Sequence, residues 1–301
     1  MEGTELEVRH EEAGERLDAW LAARVPELSR ARAKALIEGG LVRVNGYKAR
    51  KGRALEAGDR VVLDARPGPT DFHAAPDEAL ELPVRFECDR FVIIEKPAGA
   101  PSHPLREEEL GTVANFLVAR YPEMKHVGYR KREPGIVHRL DTNTSGLMLA
   151  ARTRAAFETL RAALAAGAIE KHYLARCQGV LDAPVVIDAP IANDPRNRAK
   201  VRACTDPRDV ARLGARSART EVVASRPATG GSLVELVANH ARRHQIRAHL
   251  ASIGHPLLGD TLYGGPPHDP PGHHLLHASM IRVEDITVES HDWPYGDRRA
   301  P

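Results

Sequence analysis

The 301-residue chain has only three cysteines, Cys88, Cys177 and Cys204, far apart and odd in number. That pattern argues against a disulfide framework or a cysteine-type zinc site and suits a reducing cytoplasm, the compartment expected here. Aromatic residues make up 4% of the sequence against 42% apolar residues in all, so leucine, valine, isoleucine and alanine must fill the core. No apolar run approaches the roughly 18–20 residues of a membrane span. The acidic start Met1-Glu2-Gly3-Thr4-Glu5 is not followed by the apolar core of a secretory signal. No membrane partner is expected. Glycine-rich phosphate loops, dinucleotide fingerprints and nucleophile elbows are missing too, so the chemistry must run without a nucleotide cofactor. His268, His273, His274 and His277 crowd one stretch, but their spacing fits no metal motif and nothing completes a tetrahedral set. No metal site is expected.

What is present is charge, unevenly placed. The net charge is only +2. Yet Arg24–Arg53 holds nine Lys/Arg against two acids, and Arg196–Arg219 holds eight against two. Local basic stripes on a near-neutral chain fit a polyanion met by part of the surface; solvated helix faces are the plain alternative.

Leading into the first of these stripes, Leu17, Trp20 and Leu21 recur at helical spacing across Arg16–Val25. Ser29 can cap a second helix, which Gly39 and Gly40 stop. Leu41–Val44 alternates into Asn45-Gly46, a strong hairpin signal, and Gly58-Asp59 turns into the strand Arg60–Leu63. Arg30, Arg32, Lys34, Arg43, Lys48, Arg50 and Lys51 would then form a nearly continuous basic surface. Arg16-Leu17-Asp18, Leu28-Ser29-Arg30, Gly40–Gly46 and Gly58–Val61 resemble the S4 RNA-binding domain. The resemblance implies that this α/β module, residues 14–65, grips structured RNA by backbone and shape, as base edges in a duplex are hidden. Residues 66–80, rich in proline and polar side chains, read as a linker to a large domain over 81–290, with a tail at 291–301.

The large domain turns on residues 135–150. Apolar runs Ile136–Val137 and Leu147–Ala150 bracket a polar loop, which reads as strand, loop, strand, with a single acid, Asp141, beside His138 and Arg139. A hydrated hairpin loop is the bland reading; a catalytic loop held by strands is the sharper one. Val84–Cys88 and Phe91–Glu95 read as strands, Thr112–Tyr121 and Arg154–Ala166 as helices. Lys171, Tyr173, Ala175 and Cys177 share one strand face, where Tyr173 is either core or a platform for a base. Segment 193–219 reads as a loop or insertion, and Arg219–Ala224 and Ser232–Val237 as strands. Residues 242–254 read as a helix with Ile246, Leu250 and Ile253 buried and Arg243 and Arg247 one turn apart, able to meet an anion together.

Several motifs in series resemble the RluA-type family of RNA pseudouridine synthases: Lys96-Pro97-Ala98-Gly99, Gly135–Asp141 with Thr144-Ser145-Gly146, Lys171–Ala175, His244-Gln245-Ile246-Arg247, Gly254–Leu257, Gly259-Asp260, Leu262-Tyr263-Gly264 and Leu276-His277-Ala278. The resemblance implies an α+β fold: a mixed, largely antiparallel central sheet with flanking helices and a cleft for RNA. It implies isomerisation of uridine to pseudouridine without cofactor or metal, on ribosomal RNA of the large subunit in preference to tRNA; a monomer is expected. It further implies Asp141 as the catalytic aspartate, Arg247 as its basic partner and Tyr173 as the aromatic against the uracil. Arg139, with His138, Lys171 and Leu276 near the pocket, would help to displace and hold the base. One departure stands out: the family's Thr-Gly-Arg-Thr is His240-Ala241-Arg242-Arg243 here. The competing readings are a catalytically silent RNA-binding or ribosome-assembly protein and a metal hydrolase built on the histidine-rich loop.

Overall fold

The computed structural model describes residues 4–26, 28–64, 71–268, 272–290 and 293. It divides into two compact units, 1–72 and 73–301.

The first unit holds β1 (Thr4–Glu7), α1 (Leu17–Arg24), α2 (Arg30–Glu38), β2 (Val42–Val44), β3 (Tyr47–Lys48) and β4 (Arg60–Leu63). The strands form an antiparallel sheet in the order β1-β4-β2-β3. Leu17, Trp20 and Leu21 of α1 pack with Ala33 and Ile37 of α2 onto Val42, Val44, Val61 and Leu63 of the sheet. The Ser29 hydroxyl accepts from Arg32 N–H and caps α2. Asn45 (φ 53°) and Gly46 (φ 82°) make the β2–β3 turn with both central residues left-handed, the geometry that matches strand twist. Strand β1 lies outside the 14–65 boundary. Its charged, alternating Thr4-Glu5-Leu6-Glu7 carries little apolar signal, and it is held by the β4 edge.

The second unit continues with β5 (Val84–Glu87), β6 (Phe91–Lys96), α3 (Val113–Arg120), β7 (Ser145–Ala151), α4 (Arg154–Ala166), β8 (Glu170–Gln178), β9 (Val185–Ile187), β10 (Ile191–Asn193), β11 (Val201–Ala203), α5 (Pro207–Leu213), β12 (Thr220–Ala228), β13 (Gly231–Val237), α6 (Gln245–Ser252), β14 (Leu276–Val283) and β15 (Ile286–Glu289). Nine strands form one sheet in the order β5-β6-β7-β14-β8-β13-β12-β9, with β15 on β14. Only β7 and β14 run parallel; the other pairs are antiparallel. This is the mixed, largely antiparallel sheet with flanking helices that the motifs imply. One face packs Val113 and Leu117 of α3, with Met124 of the 3-10 turn that follows, beside Tyr173, Val234 and Leu250. The other packs Phe157, Leu160 and Leu164 of α4 against Phe91, Leu147 and Leu149.

The parallel contact needs a residue without a side chain. At Gly146 (φ 108°) a Cβ would lie 2.3 Å from the Ala278 carbonyl oxygen. Gly146 therefore lets β7 and β14 meet just where the Asp141 loop ends.

Three sequence readings change. Ile136–Val137 is not a strand: Ile136 makes one bridge to Ala150, since the chain leaves the sheet at once to form the loop. Segment 193–219 is not a plain loop; it contains β11 and α5, the latter capped by Asp206 and closed by Gly214 (φ 59°). The helix expected from 242 begins only at Gln245, and Ile253 lies beyond it, 37% exposed. Of the expected linker, 66–70 lie outside the described residues, whereas Phe72 and Ala74 are buried. Of the tail at 291–301, only Trp293 is described.

Candidate active site

The loop between Gly135 and β7 is not a hydrated hairpin tip. Backbone and side chains fix it on all sides. Ser102 Oγ donates to Leu140 O at 2.8 Å and accepts from Leu140 N–H at 3.3 Å. Thr144 N–H donates to Asp141 O at 3.0 Å, and Thr144 Oγ1 pairs with His274 Nε2 at 2.8 Å. His138 Nε2 accepts from Leu149 N–H at 3.0 Å. Burial, with Lys171 and Arg161 nearby, drives His138 down to about 3, so it stays neutral and keeps that acceptor.

Lys96 is the buried clamp of the loop. Its side chain is fully buried, and Nζ donates to Pro97 O at 2.9 Å, Ala100 O at 2.8 Å and Thr142 O at 2.8 Å. Three carbonyls match the three N–H bonds of an ammonium. Burial pulls the lysine down to about 7, and the charge of Asp141 opposes that shift.

Asp141 faces an open cleft of about 1210 Å³ whose wall includes Arg139, His103, Lys171, Arg243, His244 and Arg247. Arg247 Nη1 donates to Asp141 Oδ2 at 2.9 Å. Its other edge forms a fork to Asp260, Nε to Oδ2 at 2.7 Å and Nη2 to Oδ1 at 2.9 Å. Both partners of the fork are buried, and the guanidinium lies 5.1 Å from the centre of the Tyr263 ring. Burial works against the Arg247 charge, but the hydrogen bonds and charges of Asp260 and then Asp141 raise its affinity for the proton. A carboxylate fixed in direction and partly open to a cleft is the arrangement that suits attack on a sugar or base carbon.

The other expected residues are placed as follows. Tyr173 on β8 is 3% exposed and belongs to the core cluster; burial first, then the charge of Asp141, raise its phenol. Leu276 opens β14 opposite Ala175 and packs in the same cluster. Lys171 is buried at the cleft wall, its amine drawn down to about 8 by burial. Arg139 is half-exposed on the wall, with Nη1 3.4 Å from His103 Nε2 and 3.5 Å from Glu133 Oε1. Arg243 and Arg247 do not act as a pair. Because α6 starts after Arg243, only Arg247 is on the helix: Arg243 turns to the carbonyls of Arg198 and Lys200, at 3.2 and 2.9 Å, while Arg247 is committed to its carboxylates.

In the first unit Arg30, Arg43, Lys48, Arg50 and Lys51 are exposed, and Arg32 and Lys34 half-buried. The surface is less uniformly basic than the sequence suggests. Arg30 bonds Asp18 at 3.0 Å, Arg43 bonds Asp64 at 2.8 Å, and Lys51 lies 3.0 Å from Glu38.

Sequence reasoning gave no role to Lys96, His103, His244, Asp260 or Tyr263. Asp260 and Tyr263 sit three apart in a turn-rich stretch, and a lone acid between glycines was the available signal. Among the described residues, no group of three or more His, Cys, Asp and Glu could hold a metal ion.

Residues 90–252, over half of the chain, match the RNA pseudouridylate synthase family, and residues 15–61 match the S4 domain. The chain is similar to the ribosomal large subunit pseudouridine synthase D of Xanthomonas campestris, at 38% identity over 84% of this chain and 72% of that one. The protein of the same name from Yersinia pestis is 34% identical over 94% and 89% of the two chains. An uncharacterized RNA pseudouridine synthase of Aquifex aeolicus is 36% identical over 86% and 80%. The solved structure of human RNA pseudouridylate synthase domain containing 1 shares the fold, with TM-score 0.53 and 24% identity over 75% of this chain and 85% of that one. The chain belongs to the RNA pseudouridylate synthase family. It is an RNA pseudouridine synthase that carries an S4 domain at its N-terminus. Among the described residues, no helix is long and apolar enough to cross a membrane.

Proposed function

We propose that this enzyme converts uridine in large-subunit ribosomal RNA to pseudouridine, with Asp141 as nucleophile and the S4 unit as anchor. The target rests on the relatives named for the ribosomal large subunit. The role of Asp141 rests on one observation, its 2.9 Å contact with a buried Arg247 that Asp260 holds in place.

The reaction cleaves the bond from ribose C1′ to N1, turns the uracil and joins C1′ to C5. It has no net redox change, so it needs no redox carrier. Arg247 aims the Asp141 carboxylate. The target base is stacked in RNA and must be extruded; Arg139, exposed on the wall, fills the place it leaves, and Tyr173 and Leu276 back the base from the sheet. His138 and Lys171 complete the floor. The enzyme acts as a monomer in the cytoplasm. A silent RNA-binding scaffold is disfavoured because binding alone does not require a buried arginine shared between two carboxylates, an arrangement that is costly unless fully paired.

Asp141→Ala is the test. It should abolish tritium release from RNA carrying 5-tritiated uridine while RNA affinity stays close to that of the parent. Full release from this variant would refute the assignment.

A further inference from the structure

The imidazole of His244 has no part in the roles given so far, yet it is held in an unusual way on the cleft wall. His244 is the residue before α6 and adopts φ 52°, ψ 20°. Among the described residues only Asn45 and Glu284 are other non-glycine residues with positive φ, and each lies in a tight turn between paired strands. A histidine in this region is strained by about 1 kcal/mol or more, and such strain persists where the surroundings over-determine it.

The ring is fixed by an accounting of protons. The Tyr263 hydroxyl has one hydrogen to give and two lone pairs. It donates to Val201 O at 3.2 Å and accepts from Val201 N–H at 2.9 Å. Its remaining lone pair faces His244 Nδ1 at 3.1 Å, so Nδ1 is the nitrogen that carries hydrogen. In the neutral ring Nε2 is then a bare lone pair, 3.7 Å from Asp141 Oδ2. Burial favours the neutral ring, with Asp141 and, less strongly, Asp260 opposing; Arg247 and Arg243 add to the effect of burial, and His274 and Tyr263 are the other titratable neighbours.

We propose that His244 Nε2 is the proton acceptor at uracil C5, the group that completes the isomerisation. This rests on the reading of Asp141 and its cleft given above. Once C5 has bonded to C1′, it is tetrahedral and carries both the sugar and its original hydrogen. Nε2 takes that hydrogen as a proton, and the C–H electron pair becomes the C5=C6 double bond. The pair of the N1=C6 bond moves to N1, which takes a proton from water. The imidazolium, stabilised while it lasts by the Asp141 carboxylate released from C1′, returns its proton to water.

The test uses the full chain and large-subunit ribosomal RNA transcribed with uridine or 5-deuterouridine, under single-turnover conditions. Two variants keep the backbone: His244→Asn, because asparagine tolerates left-handed φ, and His244→Gly, which adopts it freely and leaves room for added imidazole. Both should form pseudouridine about 10²-fold more slowly or worse, with RNA affinity unchanged. Both should show a primary deuterium isotope effect at C5 larger than that of the parent, and imidazole should restore part of the rate to His244→Gly. Near-parental rates would overturn the inference. So would a slow variant with an unchanged isotope effect and no rescue, since that is how a merely positioning residue behaves. Asp141→Ala, run alongside, should be inactive with either RNA; activity there would instead overturn the reading of the cleft.

Discussion

Arg247 divides its guanidinium between two carboxylates: a two-bond fork to Asp260, with both partners buried, and one bond to the more open Asp141. The fork fixes the plane of the group, and the plane fixes where the remaining N–H points. Asp260 thus orients the site through Arg247, without facing the cleft itself.

Removing Asp260 separates its two effects. Asp260→Ala leaves a buried arginine half-paired and should cost about 3–5 kcal/mol in urea denaturation. Asp260→Asn keeps the shape and one acceptor, so it should lose less stability. It should still lower kcat by about tenfold or more while KM for RNA changes little, because the aim of Arg247 matters to the reacting carboxylate. A kcat equal to the parent's in Asp260→Asn would refute this orienting role.

Lys96 offers a second check on the loop. Lys96→Met matches the lysine stem in length but leaves the carbonyls of Pro97, Ala100 and Thr142 without their donor. Unsatisfied buried acceptors cost about 1–3 kcal/mol each, so a loss of roughly 3 kcal/mol or more is expected in chemical denaturation. Because Thr142 is the neighbour of Asp141, pseudouridine formation should also fall at temperatures where the variant remains folded. Parental stability would show that the clamp is dispensable.

Much of this design could be read from residues in order. Thr153, Gly167 and the stripe Phe157, Leu160, Leu164 define α4 locally, because caps and apolar period act within a few residues. The same holds for Asn45-Gly46 and for Ser29 ahead of α2. What escaped depends on pairs distant in sequence. Asp260 reads as one acid in a turn until α6 folds back and brings Arg247 onto it. Lys96 reads as a strand end until its ammonium meets Thr142, 46 residues away. Arg243 and Arg247 shared a helical face only on paper, since nothing in His240–Arg243 announces that His244 takes the left-handed turn that delays the helix.

Acid should loosen the second unit in a defined range. Burial lowers His138 to about 3 and His274 and His103 to about 4. In the unfolded chain these rings take up protons near pH 6.5. Between those values the unfolded state binds more protons than the folded state, so stability rises with pH there. Their contribution is complete above about pH 6.5 and is lost as the pH falls toward 4. The urea midpoint should drop between pH 7.5 and 5, and drop less in His274→Asn, which has one such ring fewer. An equal drop in parent and variant would rule His274 out as a contributor.

The S4 unit makes a prediction about salt. Arg30 and Arg43 already answer Asp18 and Asp64, and Arg16, followed by Arg30, holds Asp18 down at about 2 against the effect of burial. Lys34, Lys48 and Arg50 make no ion pair among the described residues and are free to meet phosphates. Every phosphate that a removed cation leaves unneutralised should reduce the slope of log affinity against log salt by about 0.7–0.9. Lys34, Lys48 and Arg50 changed together to alanine should therefore flatten that slope by about 2, measured by filter binding to ribosomal RNA over a salt series. Arg30→Ala and Arg43→Ala together should flatten it less, because each exposes a carboxylate while removing a cation. Deleting residues 1–66 should flatten it most. An unchanged slope in that deletion would mean that the S4 unit does not hold the RNA by its phosphates.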